Sequence, residues 1–583
     1  MAATALPPSF TALFTPKLVT VLREHYRLAD FRADLISGLT VAIVALPLSM
    51  AIAIASGVSP DRGLTTAIVG GFIVSLLGGS RFQIGGPAGA FIVLVAATVQ
   101  AHGIDGLILA TLIAGLVLMA AGLLQLGTFI KYIPYPVTVG FTAGIAVIIL
   151  ASQLKDLFGL TLAGGEPGPL WPKLQALAVA WPTVSPSAVA LSGLAIVIIA
   201  GLRAVRPQWP GLLIAVAAAT IVAVVLDLPV DTIGSRFGGI PRGLPAPHLP
   251  ALSVAKILDV LPSALSFALL GSIESLLSAV VADSMTGRRH RSNCELVAQG
   301  VANIASALFG GICVTGTIAR TATNVRSGAR GPVSGMLHSL FLLAFMLLAA
   351  PLASYIPLAA LAGVLATVAW NMTERHAFAT LLRASRADAL VLLVTFLLTV
   401  FRDLTEGILA GFGLSLLLFL HRMAQTVDVE QMPSLREDDR ADTANGGRVP
   451  YDAALATDRD IVVVRISGAF FFGATASVAA ALDQIAEHPK AYVIDLSAVP
   501  LLDSSAAATL NGFVRKAARW RARVYVAGAR PAVRRMLLRH GVRQPEVRFM
   551  ASVPAAVAQA RAAMQAPGAT ESDEPALPPA AVD

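Results

Sequence analysis

The chain has 583 residues, 56% of them hydrophobic and 13% charged, with a mean hydropathy of +0.74. Charge is spread unevenly, about 10% in residues 1–421 and about 23% in residues 422–583, whereas an average soluble protein carries about 25%. A soluble body so poor in charge would expose a large apolar surface and aggregate, so residues 1–421 are expected to be membrane-embedded and the tail soluble.

Residues 1–34 lack the basic start and compact apolar core of a signal peptide. They read as a cytosolic arm carrying Lys17, Arg23, Arg27 and Arg32. Residues 35–421 form the transmembrane domain. Charge-free runs at 35–60, 106–130, 132–154, 175–202, 296–319 and 332–373 are each long enough to cross the hydrocarbon core. Pro351 and Pro357 divide the last into two. With the shorter apolar stretches, the expected count is fourteen membrane segments. A cytosolic N-terminus then puts Arg81, Lys131, Arg203, Arg288–Arg291 and Arg375 on the inside, as the positive-inside bias requires. The basic net charge of +8 is thereby explained, and no zinc-finger spacing or aromatic-basic stripe points to nucleic acid.

Two Gly-rich interruptions, Gly78–Pro87 and Gly310–Thr317, precede the third and tenth segments. Matched interruptions predict two inverted seven-segment repeats whose discontinuous helices meet near mid-membrane. Such backbone is tolerated at depth only where protein or a water-filled cavity satisfies its polar groups. Pro134 and Pro136 are expected to start a helix after a cytosolic turn that includes Lys131. Gln125 and Gln153 are expected to be satisfied interhelical polar groups.

Glu274 stands near the middle of an otherwise apolar span, with Gly271, Ser278 and Ala282 on the same helical stripe. A carboxylate there is costly unless paired, solvated or protonated. It is therefore either a proton- or cation-coupling group or a structural hydrogen-bonding residue. Arg320 follows the second interruption at the start of a short segment. Two helix N-termini with a guanidinium beside them favour an anion, although Arg320 could instead pair with Glu274 or anchor the interface. Gly85-Gly86-Pro87-Ala88-Gly89-Ala90 has the close-approach residues of a binding backbone, although small residues also serve plain helix packing, and Thr317 beside the second interruption is a further candidate for the substrate site. Asp403 and Glu406 are assigned to a turn. His102, His338 and His376 lack ligand spacing, and Cys294 and Cys313 offer no disulfide framework, so neither metal nor cofactor is expected.

Residues 422–460 read as a polar linker. Residues 461–555 alternate strand and helix, with strands at Ile461–Ile466, Ala491–Leu496 and 523–527 and helices at about 472–487, 504–520 and 531–540. Asp503 or Ser504 is the expected helix cap, and Ser504 is a candidate for phosphorylation. No nucleophile elbow or Ser-His-Asp arrangement accompanies it, so no enzyme is expected. Residues 556–583 are expected to be a disordered Pro/Ala/acidic tail.

Several motifs carry a family resemblance. Asp34 through Pro47 resembles the opening of the sulfate permease (SulP) family. Glu274–Asp283, Thr286-Gly287, Asn293, Glu295–Gly300, Gly310-Gly311, Gly316, Ala319–Thr321, Asn324 and Gly328–Arg330 resemble its central signature. Ile494-Asp495 and Asp503–Ser505 resemble a STAS domain. The resemblance covers about residues 30–550. It implies an α-helical polytopic fold of seven-plus-seven inverted repeats, as in the uracil permease UraA (UraA-like), with gate and core parts and a small cytosolic α/β STAS domain. It also implies a homodimer in the bacterial inner membrane and an elevator-like motion.

The function so implied is secondary active anion transport, with H⁺-coupled uptake of sulfate or a related oxyanion. Alternatives are Na⁺-coupled bicarbonate symport, proton-coupled C4-dicarboxylate transport, and uncoupled anion exchange or channel activity. The resemblance places substrate binding at Gly86, Pro87, Ala88, Ala319 and Arg320, and coupling at Glu274. The bicarbonate branch resembles this chain with Asp at the Glu274 position and Thr at the Ser278 position, a departure that favours H⁺ over Na⁺. Ala506 replaces the Gly of anti-sigma antagonists, which weakens a phosphoswitch at Asp503 and Ser504. The STAS domain remains a candidate docking point for a cytosolic protein.

Overall fold

The computed structural model describes residues 10–128, 134–163, 166–206, 209–250, 252–402, 404–432, 460–483 and 489–565. The chain divides into two compact units, Met1–Ser415 and Leu416–Asp583.

Apolar composition makes the first unit helical, because a helix satisfies its own backbone groups where water is absent. Among the described residues, six helices are long and apolar enough to cross a membrane: α1 (Leu28–Ala55), the helix Gly89–Leu123, α4 (Tyr135–Phe158), α5 (Pro186–Val205), α7 (Val254–Thr286) and α13 (Leu404–Gln425). Between α1 and the first interruption lies α2 (Gly71–Leu77), preceded by a π-helical turn at Thr66–Gly70. The Gly89–Leu123 helix begins with a 3₁₀ turn and continues as α3 (Ile92–Leu123). It is two helices in one, since Gly103 takes a non-helical φ of 69° and ψ of −173°. Shorter helices include α6 (Gly211–Val225), α8 (Ser292–Leu308), α9 (Ile318–Arg326), α10 (Val333–Leu348), α11 (Leu358–Met372) and α12 (Arg386–Phe401). The membrane helix α1 begins inside the stretch assigned from sequence to the N-terminal arm.

Pro134 caps α4 and Pro136 occupies its first turn, as expected. Lys131 and Asp403 lie outside the described residues. The core of this unit is one continuous apolar cluster built largely from α1, α3, α4, α7, α10 and α11.

Both interruptions become extended backbone. Gly85–Gly86 forms β1 and Thr315–Gly316 forms β2, and the two pair antiparallel with Gly85 opposite Gly316 and Gly86 opposite Thr315. This joins points some 230 residues apart, as inverted repeats predict. Side chains satisfy the irregular backbone around the ladder. Glu295 Oε2 accepts from Gly79 N (2.8 Å) and Ser80 N (3.0 Å). Asn324 Nδ2 donates to Phe82 O at 2.9 Å. Asn303 clamps Val314 with both amide atoms, donating to its carbonyl at 2.8 Å and accepting from its N–H at 3.0 Å. Thr66 Oγ1 accepts from Ile312 N at 2.7 Å.

In the second unit, β3 (Asp428–Met432), β4 (Ile461–Ser467), β5 (Ala491–Asp495), β6 (Arg523–Ala527) and β7 (Val547–Met550) form one sheet in sequential order. The β3–β4 pair is antiparallel and the other pairs are parallel. Helices α14 (Thr475–Asp483), α15 (Ser504–Arg519) and α16 (Pro531–Arg539) share one core with the sheet. A final helix, α17 (Val553–Gln565), packs Ala556, Val557 and Ala560 in a second core with Val463, Val493 and Tyr525. Two expected boundaries therefore move. The polar linker supplies strand β3, and residues 556–565 of the expected tail are helical. The rest of the linker and of the tail lies outside the described residues.

Candidate functional site

The β1–β2 ladder aims two helix starts at one region. Ala88 precedes the 3₁₀ turn Gly89–Phe91 that leads into α3, and Thr317 is the N-cap residue of α9. First-turn N–H groups have no acceptor within their own helix, so both ends present donors. Thr317 is held in place by its N–H and its hydroxyl, which donate to Ile84 O at 3.0 and 3.3 Å. Ala319 is exposed, whereas Gly86, Pro87, Ala88 and Thr317 are buried.

Arg320 is 1% exposed. Its Nη2 donates to Ser49 Oγ and to Pro87 O, each at 3.2 Å, while Nε and Nη1 have no hydrogen-bond acceptor. Among the described residues it meets no carboxylate within ion-pair distance, so the alternative pairing with Glu274 is not made. A buried guanidinium with free donors, beside two helix starts, is suited to an anion.

Glu274, 7% exposed, lies along α7. No hydrogen bond or ion pair reaches its carboxylate among the described residues, so the structural hydrogen-bonding role has no partner to support it. It borders a narrow crevice with Thr138, Phe141, Thr142, Leu277 and Ile408. Ser278, one turn on, donates to Thr321 Oγ1 at 3.0 Å, and that hydroxyl also accepts from Ile84 N at 3.1 Å. Thus Ser278 ties α7 to α9 and to the strand entering β1.

Several residues at the site carry little signal in the sequence. Ser49 sits in a charge-free run with no local signal. Gln83 is buried with both amide atoms unpartnered, and a Cβ at Gly316 would fall 1.5 Å from its Nε2. Thr321 and Asn324 belong to the quoted signature, where their roles as clamps of a distant strand were not apparent.

In the second unit, Asp503 caps α15: its Oδ1 accepts from Ala506 N and its Oδ2 from Phe472 N, both at 2.9 Å. Ser504 is exposed, with Oγ 3.9 Å from Met536 Sδ.

The sulfate permease family profile matches residues 31–395 and the STAS domain profile residues 452–556. The chain belongs to the sulfate permease family. It is 39% identical over 527 residues to YvdB of Bacillus subtilis, whose name marks it as a candidate sulfate transporter, covering 89% of this chain and 95% of the relative. The bicarbonate transporter BicA of Synechocystis is 33% identical over 532 residues, covering 88% of this chain and 90% of BicA. Among solved structures, the transmembrane domain of a cyanobacterial BicA superposes with a TM-score of 0.60 at 34% identity, covering 66% of this chain and 98% of that one. SLC26A9 superposes with a TM-score of 0.81 at 18% identity, covering 94% and 92%, a likeness of fold. This sulfate permease family member is therefore a multi-pass membrane transporter of anions and not an enzyme, with a C-terminal STAS domain.

Proposed function

We propose that the protein is a secondary active transporter of the bacterial inner membrane that takes up sulfate or a related small oxyanion together with H⁺. The observation that carries this reading is Arg320, buried beside two helix starts with two guanidinium nitrogens free to donate. The anion binds between Pro87–Ala88 and Ala319–Arg320, held by Arg320 and first-turn N–H groups, with Gly86 and Thr317 shaping the floor.

Charge balance gives Glu274 its role. A sulfate dianion and Arg320 together carry one negative charge, and an ionised Glu274 makes two. Protonating Glu274 returns the moving part to one, which lowers the cost of passage through hydrocarbon. In this reading the shorter helices and the two broken ones also count as spans, giving fourteen segments, with the N-terminus and STAS domain cytosolic. The pairing of α1 to α3 with α7 to α10 forms a core that moves against the other helices in an elevator-like manner, within a homodimer. The STAS domain offers Asp503 and Ser504 as a regulatory edge and a docking point for a cytosolic protein.

Na⁺-coupled bicarbonate symport is the second reading, favoured by the likeness to BicA. Arg320 alone neutralises bicarbonate, and Na⁺ would then neutralise Glu274. Proteoliposome uptake of labelled sulfate, bicarbonate and fumarate under imposed H⁺ or Na⁺ gradients separates these readings, a dicarboxylate cargo, and uncoupled flux. Sulfate uptake indifferent to a pH gradient would overturn the first.

A further inference from the structure

A cavity of about 660 Å³ lies in the membrane unit away from Arg320. It is bounded by the end of α1 and the residues after it (Ile54–Gly57), by α3, by the last turns of α4, by the segment Glu166–Lys173, by Arg236, and by Thr399, Val400, Arg402 and Leu404. Its inner wall includes Ile92 and Ile148, beside the first turn that follows Ala88 and Gly89. A Cβ at Gly89 would lie 3.3 Å from Ile149 Cδ1, so the turn after Ala88 packs directly on α4 next to the lining residue Ile148. Gly168 closes the far side, its Cβ position 3.2 Å from Gln100 Oε1 at the end of the third segment.

Among the described residues, four cationic side chains and two carboxylates line this space. Three of the cations are paired: Lys173 with Glu166 at 2.9 Å, Arg236 with Asp156 at 3.2 Å, and Arg402 with Glu406 at 3.4 Å. Lys173 is held only 8% exposed. Lys155 has no ion pair among the described residues. Its position in the last turn of α4 suits the helix dipole, yet the same turn places it on the cavity. Among the described residues Lys155 is therefore the cation that leaves the lining with surplus positive charge within an apolar wall, a geometry that concentrates counter-ions.

We propose that this cavity is the access vestibule on the face opposite the N-terminus, and that Lys155 forms there a first capture site for small oxyanions. The inference rests on the Proposed function for the inner site at Arg320. The anion is held loosely by Lys155 between the Asp156–Arg236 and Glu166–Lys173 pairs. It then passes Ile92 and Ile148 to Ala88. The two ion pairs keep neighbouring cations from binding it tightly, which suits a site that must release inward.

The test uses the full-length protein in liposomes with Ala97→Cys, an exposed residue on the cavity wall. The native Cys294 and Cys313 are buried. Thiol labelling is compared for an anionic sulfonatoethyl and a cationic trimethylammonioethyl methanethiosulfonate. With Lys155 present, the rate ratio favours the anionic reagent and sulfate slows labelling. Lys155→Glu lowers that ratio by about fivefold or more, and Lys155→Arg preserves it. In uptake assays Lys155→Glu raises KM for sulfate and leaves kcat unchanged. An unchanged labelling ratio in Lys155→Glu, or a fall in kcat without a change in KM, overturns the proposal. Absence of uptake of any anion by the unaltered protein, with the labelling ratio as described, defeats the inner-site reading alone.

Discussion

Gly86 and Arg320 are packed so closely that a Cβ on the glycine would fall 2.1 Å from Nη1 of the arginine. The two come from opposite halves of the chain and meet because β1 and β2 pair. Gly86→Ala therefore forces the guanidinium out of its place. A hydrogen bond to a charged group is worth about 1.5–3 kcal/mol, so anion affinity is expected to fall about tenfold or more. Uptake kinetics on protein that elutes as a single folded species check this, and unchanged KM would show that Arg320 does not hold the anion.

Glu274→Gln should separate coupling from binding. The amide keeps the shape and cannot exchange a proton. Uptake driven by a pH gradient is expected to disappear, whereas counterflow of labelled against unlabelled anion persists. Pre-steady-state or counterflow assays in liposomes distinguish the two, and full pH-driven uptake in the variant would exclude Glu274 as the proton carrier.

Glu295 is predicted to be a stability residue. Its carboxylate receives Gly79 N, Ser80 N and Gln299 Nε2 in a fully buried setting. Removing it leaves three buried donors without acceptors, each costing about 1–3 kcal/mol. Glu295→Ala is expected to lower the thermal midpoint markedly in detergent, and Glu295→Gln by less, because one carbonyl oxygen remains. Differential scanning fluorimetry reads the order directly.

In the STAS domain, Asp503→Ala removes both the cap of α15 and the tie to Phe472. Loss of an N-cap costs about 0.5–2 kcal/mol. A lower denaturation midpoint of the STAS unit is expected. Ser504→Asp, at an exposed first-turn position, should be tolerated because negative charge there suits the helix dipole. Urea titrations followed by far-UV circular dichroism on a fragment spanning the unit compare the two.

The sequence carried the chemistry of the site better than its support. Glu274 and Arg320 stood out because charge is rare in apolar runs, and Gly86 and Gly316 because glycine clusters mark broken helices. Both signals are local. Ser49, which receives the guanidinium, is silent in sequence, since a serine in an apolar span has many ordinary uses. The same holds for Thr66, whose partner Ile312 lies across the ladder, and for Asn303, an ordinary polar residue of an apolar run that turns out to clamp Val314. In the C-terminal unit, β4, β5 and β6 are legible as apolar runs. Strand β3 was hidden in a polar stretch because it is an edge strand, and α17 because small alanines bury little surface each. The distance between interruption and clamp, not the residue type, is what concealed the rest.

The pairing of Gly85–Gly86 with Thr315–Gly316 also sets an order of events during synthesis. The first interruption reaches the bilayer long before residue 315 has left the ribosome, and its backbone then has no strand to meet. Chaperoning of that stretch falls to its own half of the protein, to water, or to the insertion machinery, until the second half arrives. Completion is thus a late, single event that creates the ladder and the binding region together. A nascent chain halted before residue 310 should remain sensitive to proteases near Gly78–Pro87, and resistance there should appear only once the second strand has been delivered.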